Sequence, residues 1–150
     1  MRKTMPAEVR RRARRTLIIL VVAGCALKGP AWPDDRKPSE LIGTWRGTST
    51  CVDRVAAPAC RDEVVVYDFA VGEKAGSVRW KADKVVEGRR EFMGEMELVY
   101  DAGDRCWKAE FSSPRVRSVW CLVVDGGHLT GTGWLLPGKQ TVRRIEVRKD

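Results

Sequence analysis

Cysteine is the residue type whose number and spacing in this chain most clearly indicate chemistry. The chain has 150 residues and five cysteines, namely Cys25, Cys51, Cys60, Cys106 and Cys121. Without Cys25, four cysteines remain. An even set of cysteines in an exported chain predicts disulfide bonds, and four cysteines allow three connectivities. Pairing Cys51 with Cys60 and Cys106 with Cys121 is favoured, because each pair brackets its own chain connection. Cys25 is then left over, and it requires a different explanation.

Catalytic and metal-binding patterns are weak by comparison. The single histidine, His128, lies in a predicted turn, and no C-x-x-C motif is present, so the spacing does not favour zinc. A nucleophile needs an adjacent base, and no G-x-S-x-G or phosphate-binding Gly-rich loop occurs. Most carboxylates alternate with Lys and Arg, as on a solvated strand face. The sequence therefore predicts a protein that is not an enzyme, with no cofactor and no metal.

The residues before Cys25 have the order of a secretory signal. Seven Lys and Arg residues precede a short apolar run at residues 17–22, which is followed by Ala23 and Gly24. The run is shorter than the roughly 20 apolar residues that span a bilayer. A basic region, a short apolar region and small residues at its exit indicate cleavage and export. We therefore assign residues 1–24 to a signal peptide.

The sequence Val22-Ala23-Gly24-Cys25 resembles the lipobox of bacterial lipoproteins. The resemblance implies a diacylglyceryl group on the Cys25 sulfur, cleavage just before it and attachment to a membrane of the bacterial cell envelope. Ala26 follows the cysteine where enteric lipoproteins of the inner membrane have Asp, and this favours the outer membrane. The alternative is ordinary cleavage nearby, with Cys25 discarded or left free.

Removal of the leader changes the charge of the protein. The whole chain has a net charge of +8, but residues 25–150 contain 21 Lys and Arg against 19 Asp and Glu. A net charge of +2 gives little support to nucleic-acid binding. Residues 25–40 contain three prolines and mixed charge and are typical of a tether. The remaining residues, 41–150, are enough for one domain with a hydrophobic core.

Short alternating segments separated by turn residues predict an all-β domain. Hairpin turns at residues 74–75, 87–89, 101–104, 112–115 and 125–128, with strands at 41–52 and 141–148, give about eight antiparallel strands in a meander. Such a sheet, apolar on one face, removes its edges by closing into a barrel. Pro137 and the mixed pattern of the last strand indicate a bulge.

The turns also predict the register of the strands. Paired positions on the inner face are Phe69/Trp80, Trp80/Met96, Leu98/Trp107, Trp107/Trp120 and Val124/Leu129. Cys106 would lie directly opposite Cys121. On the outer face, most pairs are of opposite charge, which stabilises a register. They are Asp68/Lys81, Arg79/Glu97, Lys81/Glu95, Glu97/Lys108 and Glu110/Arg117. One pair, Glu95/Glu110, has like charges and disagrees with this register.

The first predicted strand begins with Gly43-Thr44-Trp45, and this G-x-W resembles the entry motif of lipocalins and the wider calycins. The resemblance implies that Trp45 closes one end of the barrel and that an Arg of the last strand, Arg143, Arg144 or Arg148, packs over it. It also implies an apolar ligand cavity. The second lipocalin motif, which resembles T-D-Y, is absent, and the domain is shorter than in typical lipocalins.

The inward face carries large side chains that are candidates for ligand binding. They are Trp45, Tyr67, Phe69, Trp80, Met96, Trp107 and Trp120; Leu98 and Phe111 share this face. Gly94, Gly131 and Gly133 could leave space beside them. The alternative is that these side chains fill the barrel, because eight-stranded interiors are just wide enough for side chains. A filled barrel would favour an envelope protein that binds other proteins, as a structural factor or hydrolase inhibitor. Trp134 has outward parity and is a candidate surface contact.

Overall fold

The computed structural model describes residues 36–150, and this part of the chain is an antiparallel β-barrel. Its eight strands follow one another in up-and-down order, and pairing between the first and the last closes the barrel. The predicted fold class is confirmed. The strands are β1 (Gly43–Cys51), β2 (Glu63–Val71), β3 (Val78–Val86), β4 (Arg89–Asp101), β5 (Cys106–Ser112), β6 (Arg117–Asp125), β7 (His128–Leu135) and β8 (Gln140–Lys149).

A short 3-10 helix, Pro38–Glu40, precedes β1 in the segment that composition assigned to the tether. Among the described residues no helix is long and apolar enough to cross a membrane. The predicted signal peptide, residues 1–24, and the predicted lipidation site, Cys25, lie outside the described residues.

Trp45 lies in the packed end of the barrel, which we call the Trp45 end. Its side chain is fully buried, and its indole Nε1 donates a hydrogen bond to the Leu41 carbonyl oxygen at 2.7 Å. Phe69 contacts the ring edge-to-face, with 6.5 Å between centroids. The cation over the indole is Lys149, whose Nζ lies 5.4 Å from the centroid. The expectation that an arginine of β8 occupies this position is therefore wrong.

The backbone conformation explains why the first residue of the G-x-W motif is glycine. Gly43 has a φ of 128°, which side-chain-bearing residues rarely adopt, and an added Cβ would lie 3.0 Å from Lys149 Cε. A side chain at this position would therefore both strain the backbone and displace the lysine from Trp45.

The predicted registers are confirmed for most neighbouring strands. Phe69 lies opposite Trp80, Trp80 opposite Met96 and Val124 opposite Leu129. The predicted bulge of the last strand is also present: Gly133 pairs with Arg143 and Trp134 with Thr141, so that one residue of β8, Val142, is extra. A second bulge, which the sequence analysis missed, lies at Met93 of β4, between the partners of Ala82 and Asp83.

The predicted register of β5 is wrong by two residues on both sides. Trp107 lies opposite Tyr100 and Leu122, whereas the turns predicted Leu98 and Trp120. As a result, Glu97/Lys108 and Glu110/Arg117 are not cross-strand pairs. The connection from β4 to β5 and the connection from β5 to β6 are both longer than predicted. In the first, Asp101 Oδ1 accepts a hydrogen bond from the Asp104 backbone N–H at 2.8 Å. In the second, the Ser113 backbone N–H donates to the Val116 carbonyl oxygen at 2.8 Å.

The two disulfides are those that the sequence predicted. Cys51 is bonded to Cys60, and Cys106 to Cys121, with Cα–Cα distances of 6.0 and 5.6 Å. The second bridge is diagonal, because Cys121 lies opposite Lys108 and not opposite Cys106. Two disulfides are compatible with an extracytoplasmic location, since such bonds persist mainly in oxidising compartments.

Candidate functional site

A cavity of about 270 Å³ occupies the half of the barrel away from Trp45, which we call the cavity end. The connections at this end join β1 to β2, β3 to β4, β5 to β6 and β7 to β8. The cavity is small for a ligand site, since such sites commonly measure about 300–1,000 Å³. The barrel is therefore neither fully filled nor widely hollow.

One wall of the cavity is built from aromatic and thioether side chains. The ring of Trp80 meets Tyr67 at 5.1 Å and Trp120 at 5.7 Å, both in edge-to-face geometry. These rings come from β2, β3 and β6, and their mutual contacts hold them in fixed orientations. Met96 of β4 and Phe111 of β5 complete this wall, and Phe111 is 47% exposed at the mouth.

The structure divides the candidate ligand-binding residues into two groups. Tyr67, Trp80, Met96 and Trp120 line the cavity. Trp45, Phe69 and Trp107 belong to the packed core and are outside the lining. The indole Nε1 of Trp80 is buried and has no hydrogen-bond partner among the described residues. Substitution of this tryptophan by phenylalanine would therefore remove no hydrogen bond.

The three inward glycines have different surroundings. An added Cβ at Gly133 would lie 2.7 Å from the Trp120 ring, and one at Gly131 would lie 2.6 Å from Leu122 Cδ2. At these two positions a neighbouring side chain fills the space that a side chain of the glycine residue would occupy. Gly94 lines the cavity, and an added Cβ there would meet no atom within 4 Å. Of the three, only Gly94 leaves open space.

The opposite wall of the cavity is polar, and the sequence analysis missed it. Arg143 Nη1 donates to Glu63 Oε2 at 2.9 Å and to Ser49 Oγ at 2.6 Å. Its Nη2 donates to the Arg61 carbonyl oxygen at 2.9 Å. The side chains of Arg143 and Glu63 are only 16% and 20% exposed. Glu63 therefore neutralises the charge of the Arg143 guanidinium inside the barrel. The wall offers hydrogen-bonding groups with little net charge.

Tyr67 joins the two walls. Burial raises the pKa of the Tyr67 phenol well above its ordinary value of 10.0, and a hydrogen bond with Ser49 and the charge of Arg143 oppose this effect only in part. The hydroxyl is therefore neutral at physiological pH and available as a donor or acceptor.

Strand parity could have indicated two of the missed residues. Glu63 precedes Val65, Tyr67 and Phe69 on the inward face of β2, and Ser49 follows Trp45 at even spacing on β1. Arg143 shares the inward parity of Ile145 and Val147, but the buried Val142 beside it has the opposite parity, so the alternation along β8 did not indicate which face Arg143 occupies.

The remaining candidate residues lie elsewhere. Trp134 is half-buried opposite Val119 and outside the cavity lining. His128, the only histidine of the chain, begins β7 at the Trp45 end and is also absent from the lining. Within residues 36–150, no group of three or more His, Cys, Asp or Glu is arranged to hold a metal ion.

The barrel wall is incomplete beside the cavity. The ladder between β4 and β5 covers only Val99–Asp101 and Cys106–Lys108. Towards the cavity end, the rest of β4 pairs only with β3 among the described strands, and the rest of β5 only with β6. The cavity residues Met96 and Phe111 lie on either side of this opening.

No protein-family model matches the sequence, and no curated protein is significantly similar to it.

Proposed function

We propose that this protein binds a small, largely apolar and uncharged ligand in the cavity of its barrel. The observation that supports this most directly is the cavity itself, with rigid aromatic rings on one wall and a neutralised polar cluster on the other. Apolar pockets with a few convergent polar groups are the usual form of small-molecule sites.

The polar wall indicates the chemistry of the ligand. Glu63 already meets the charge of Arg143 at 2.9 Å. A ligand carboxylate would compete with Glu63, and one of the two anions would lose its partner in a poorly solvated site. A hydroxyl or carbonyl group could instead bond to Ser49 or Tyr67 at no such cost. We therefore expect an alcohol or ketone to bind more tightly than the carboxylate of equal length.

The same proposal includes a cellular location. The leader, the lipobox-like residues and Cys25 suggest a lipid-anchored protein of the bacterial cell envelope, with the outer membrane favoured, facing the periplasm or the exterior. In this setting the protein would act by binding and not by catalysis.

The test is a titration of intrinsic tryptophan fluorescence with 1-octanol and with octanoate. Trp80 and Trp120 line the cavity, so we expect a saturable change with octanol and a weaker one with octanoate. In Gly94→Leu the new side chain enters open space, so the fold is retained and binding is at least tenfold weaker.

The matched control is Gly127→Leu, because Gly127 also has no atom within 4 Å of an added Cβ and lies in the turn between β6 and β7 at the Trp45 end. This variant should bind like the parent protein. Absence of a saturable response in the parent protein would refute the proposal, as would equal binding by Gly94→Leu.

A further inference from the structure

The opening between β4 and β5 begins where two acidic residues would otherwise meet. If the register of Val99 and Lys108 continued, Glu97 would lie directly opposite Glu110. Like charges at opposite positions destabilise a strand pair. Glu97 instead accepts hydrogen bonds from the Ser77 hydroxyl and from the Lys74 backbone N–H, on the β3 side. The two strands therefore separate at the point where their acidic residues would meet.

The separation leaves a strand edge without a partner. Over residues 89–98, β4 has a neighbouring strand on one side only within the described chain, so one row of its backbone N–H and C=O groups has no strand partner. Residues 89–93 are all exposed. Such an edge is a template for the addition of another strand.

The side chains on the two faces of this edge indicate which residue types an added strand would carry. Towards the interior lie Met96 and, across the opening, Phe111, both beside the cavity. Towards the exterior lies a recess of about 180 Å³ that is lined by Glu73, Glu95 and Glu97 with Arg79. An added strand with alternating residues would direct apolar side chains inwards and basic ones into this recess.

Charge also indicates the chemistry of the strand that would add to this edge. Glu95 and Glu110 form no ion pair or side-chain hydrogen bond with any residue in the described part of the chain. A strand that carries Lys or Arg would compensate both glutamates.

We propose that the free edge of β4 binds an extended segment of another polypeptide in which apolar residues alternate with Lys or Arg. The backbone of the segment adds to the sheet, its apolar side chains face Met96 and Phe111, and its basic side chains face Glu95 and Glu110. This site does not depend on the small-ligand proposal, because it is formed by the strand edge.

The experiment uses the 25–150 chain with its disulfides intact and an eight-residue peptide of alternating Val and Lys, capped at both ends. We expect saturable one-to-one binding by calorimetry and slower hydrogen–deuterium exchange in residues 89–98. One peptide that is N-methylated at each Val and another that is N-methylated at each Lys lack the donors of opposite edges, and the one that lacks the donors facing β4 should bind at least tenfold more weakly. The alternating Val and Glu peptide should not bind.

Two charge reversals test the side-chain part of the proposal. Glu95→Lys and Glu110→Lys should each weaken binding at least tenfold. Glu110→Lys should also slow exchange in β4 of the free protein, because the ladder can then extend. The control is Glu146→Lys, an exposed position on β8, which changes the charge equally and should alter binding less than twofold.

Several outcomes would overturn the proposal. They are the absence of saturable binding, binding without protection of residues 89–98, and unweakened binding of both N-methylated peptides, which would indicate attraction by charge alone. Self-association through β4 in sedimentation experiments would identify a second copy as the occupant. Protection of this edge by anionic lipid vesicles, with none by the peptide, would identify a membrane surface.

Discussion

The ion pair between Arg143 and Glu63 should stabilise the barrel more than an exposed pair of similar geometry. Its shortest N···O distance is 2.9 Å, and both side chains are at least four-fifths buried. At an effective dielectric constant of 20, the Coulomb energy at this distance is about 6 kcal/mol, and the cost of removing both ions from water cancels several kcal/mol of this. We therefore expect a coupling energy of about 1–3 kcal/mol.

A double-mutant cycle with Glu63→Gln and Arg143→Met measures this energy. Glu63→Gln leaves the guanidinium without a counter-ion, and Arg143→Met leaves the carboxylate without one, so each should cost about 2–3 kcal/mol. The double variant should cost less than the two single variants together. The assay is urea unfolding at equilibrium with both disulfides oxidised.

The chain contains a matched control for this cycle. Arg46 and Asp150 form an ion pair at 2.8 Å, but their side chains are 55% and 45% exposed. Exposed pairs contribute less than about 1 kcal/mol and are screened by salt. If the coupling between Arg143 and Glu63 is no larger than that between Arg46 and Asp150, burial does not strengthen the pair, and our description of the polar wall is wrong.

Two further predictions concern the disulfide and the acid stability. Cys106→Ala combined with Cys121→Ala opens a connection of 15 residues and should lower the free energy of unfolding by about 3 kcal/mol in the chain-entropy model; digestion without reduction should link these two cysteines, and a link to Cys51 or Cys60 would contradict the fold. Burial acts to raise the pKa of Asp68, but hydrogen bonds from Arg90 and Thr44 lower it below its ordinary value of 3.8. The carboxylate therefore stabilises the fold above that pH and ceases to do so as the pH falls below it. On acidification from about pH 5 to pH 2, Asp68→Asn should lose less stability than the parent protein. If the difference between the urea midpoints of the two proteins is the same at both pH values, this prediction is wrong.

The sequence predicted the barrel and its inner face for one physical reason. Side chains alternate along a strand with a period of two, so the inner face of β3, and that of β4 from Gly94 onwards, follows from Trp80 and Met96 alone. The error in the register of β5 did not disturb this, because a shift of two residues leaves every side chain on its predicted face. For the same reason, the alternation could not reveal the error.

Other missed features depend on loops and on the positions of individual side chains, which alternation does not encode. The connection at Ser113 is two residues longer than predicted because the Ser113 hydroxyl accepts hydrogen bonds from Arg115 and Val116 and forms a turn. The cavity was equally hidden, since Gly94 and Gly133 are the same residue on the same face. Only the position of the Trp120 ring makes one of them open and the other filled.

The described chain enters the barrel at the end opposite the mouth of the cavity. Arg36 Nη1 donates to the carbonyl oxygen of Val124 at 3.4 Å, next to the last residue of β6 at the Trp45 end. Cys25 is 11 residues upstream, and this length can span at most about 35–40 Å. If Cys25 is acylated as proposed, the connection to the bilayer would join the barrel at its packed end. The mouth and the free edge of β4 would then lie at the end of the barrel away from this connection, where neither the anchor nor its tether would obstruct a ligand or another chain.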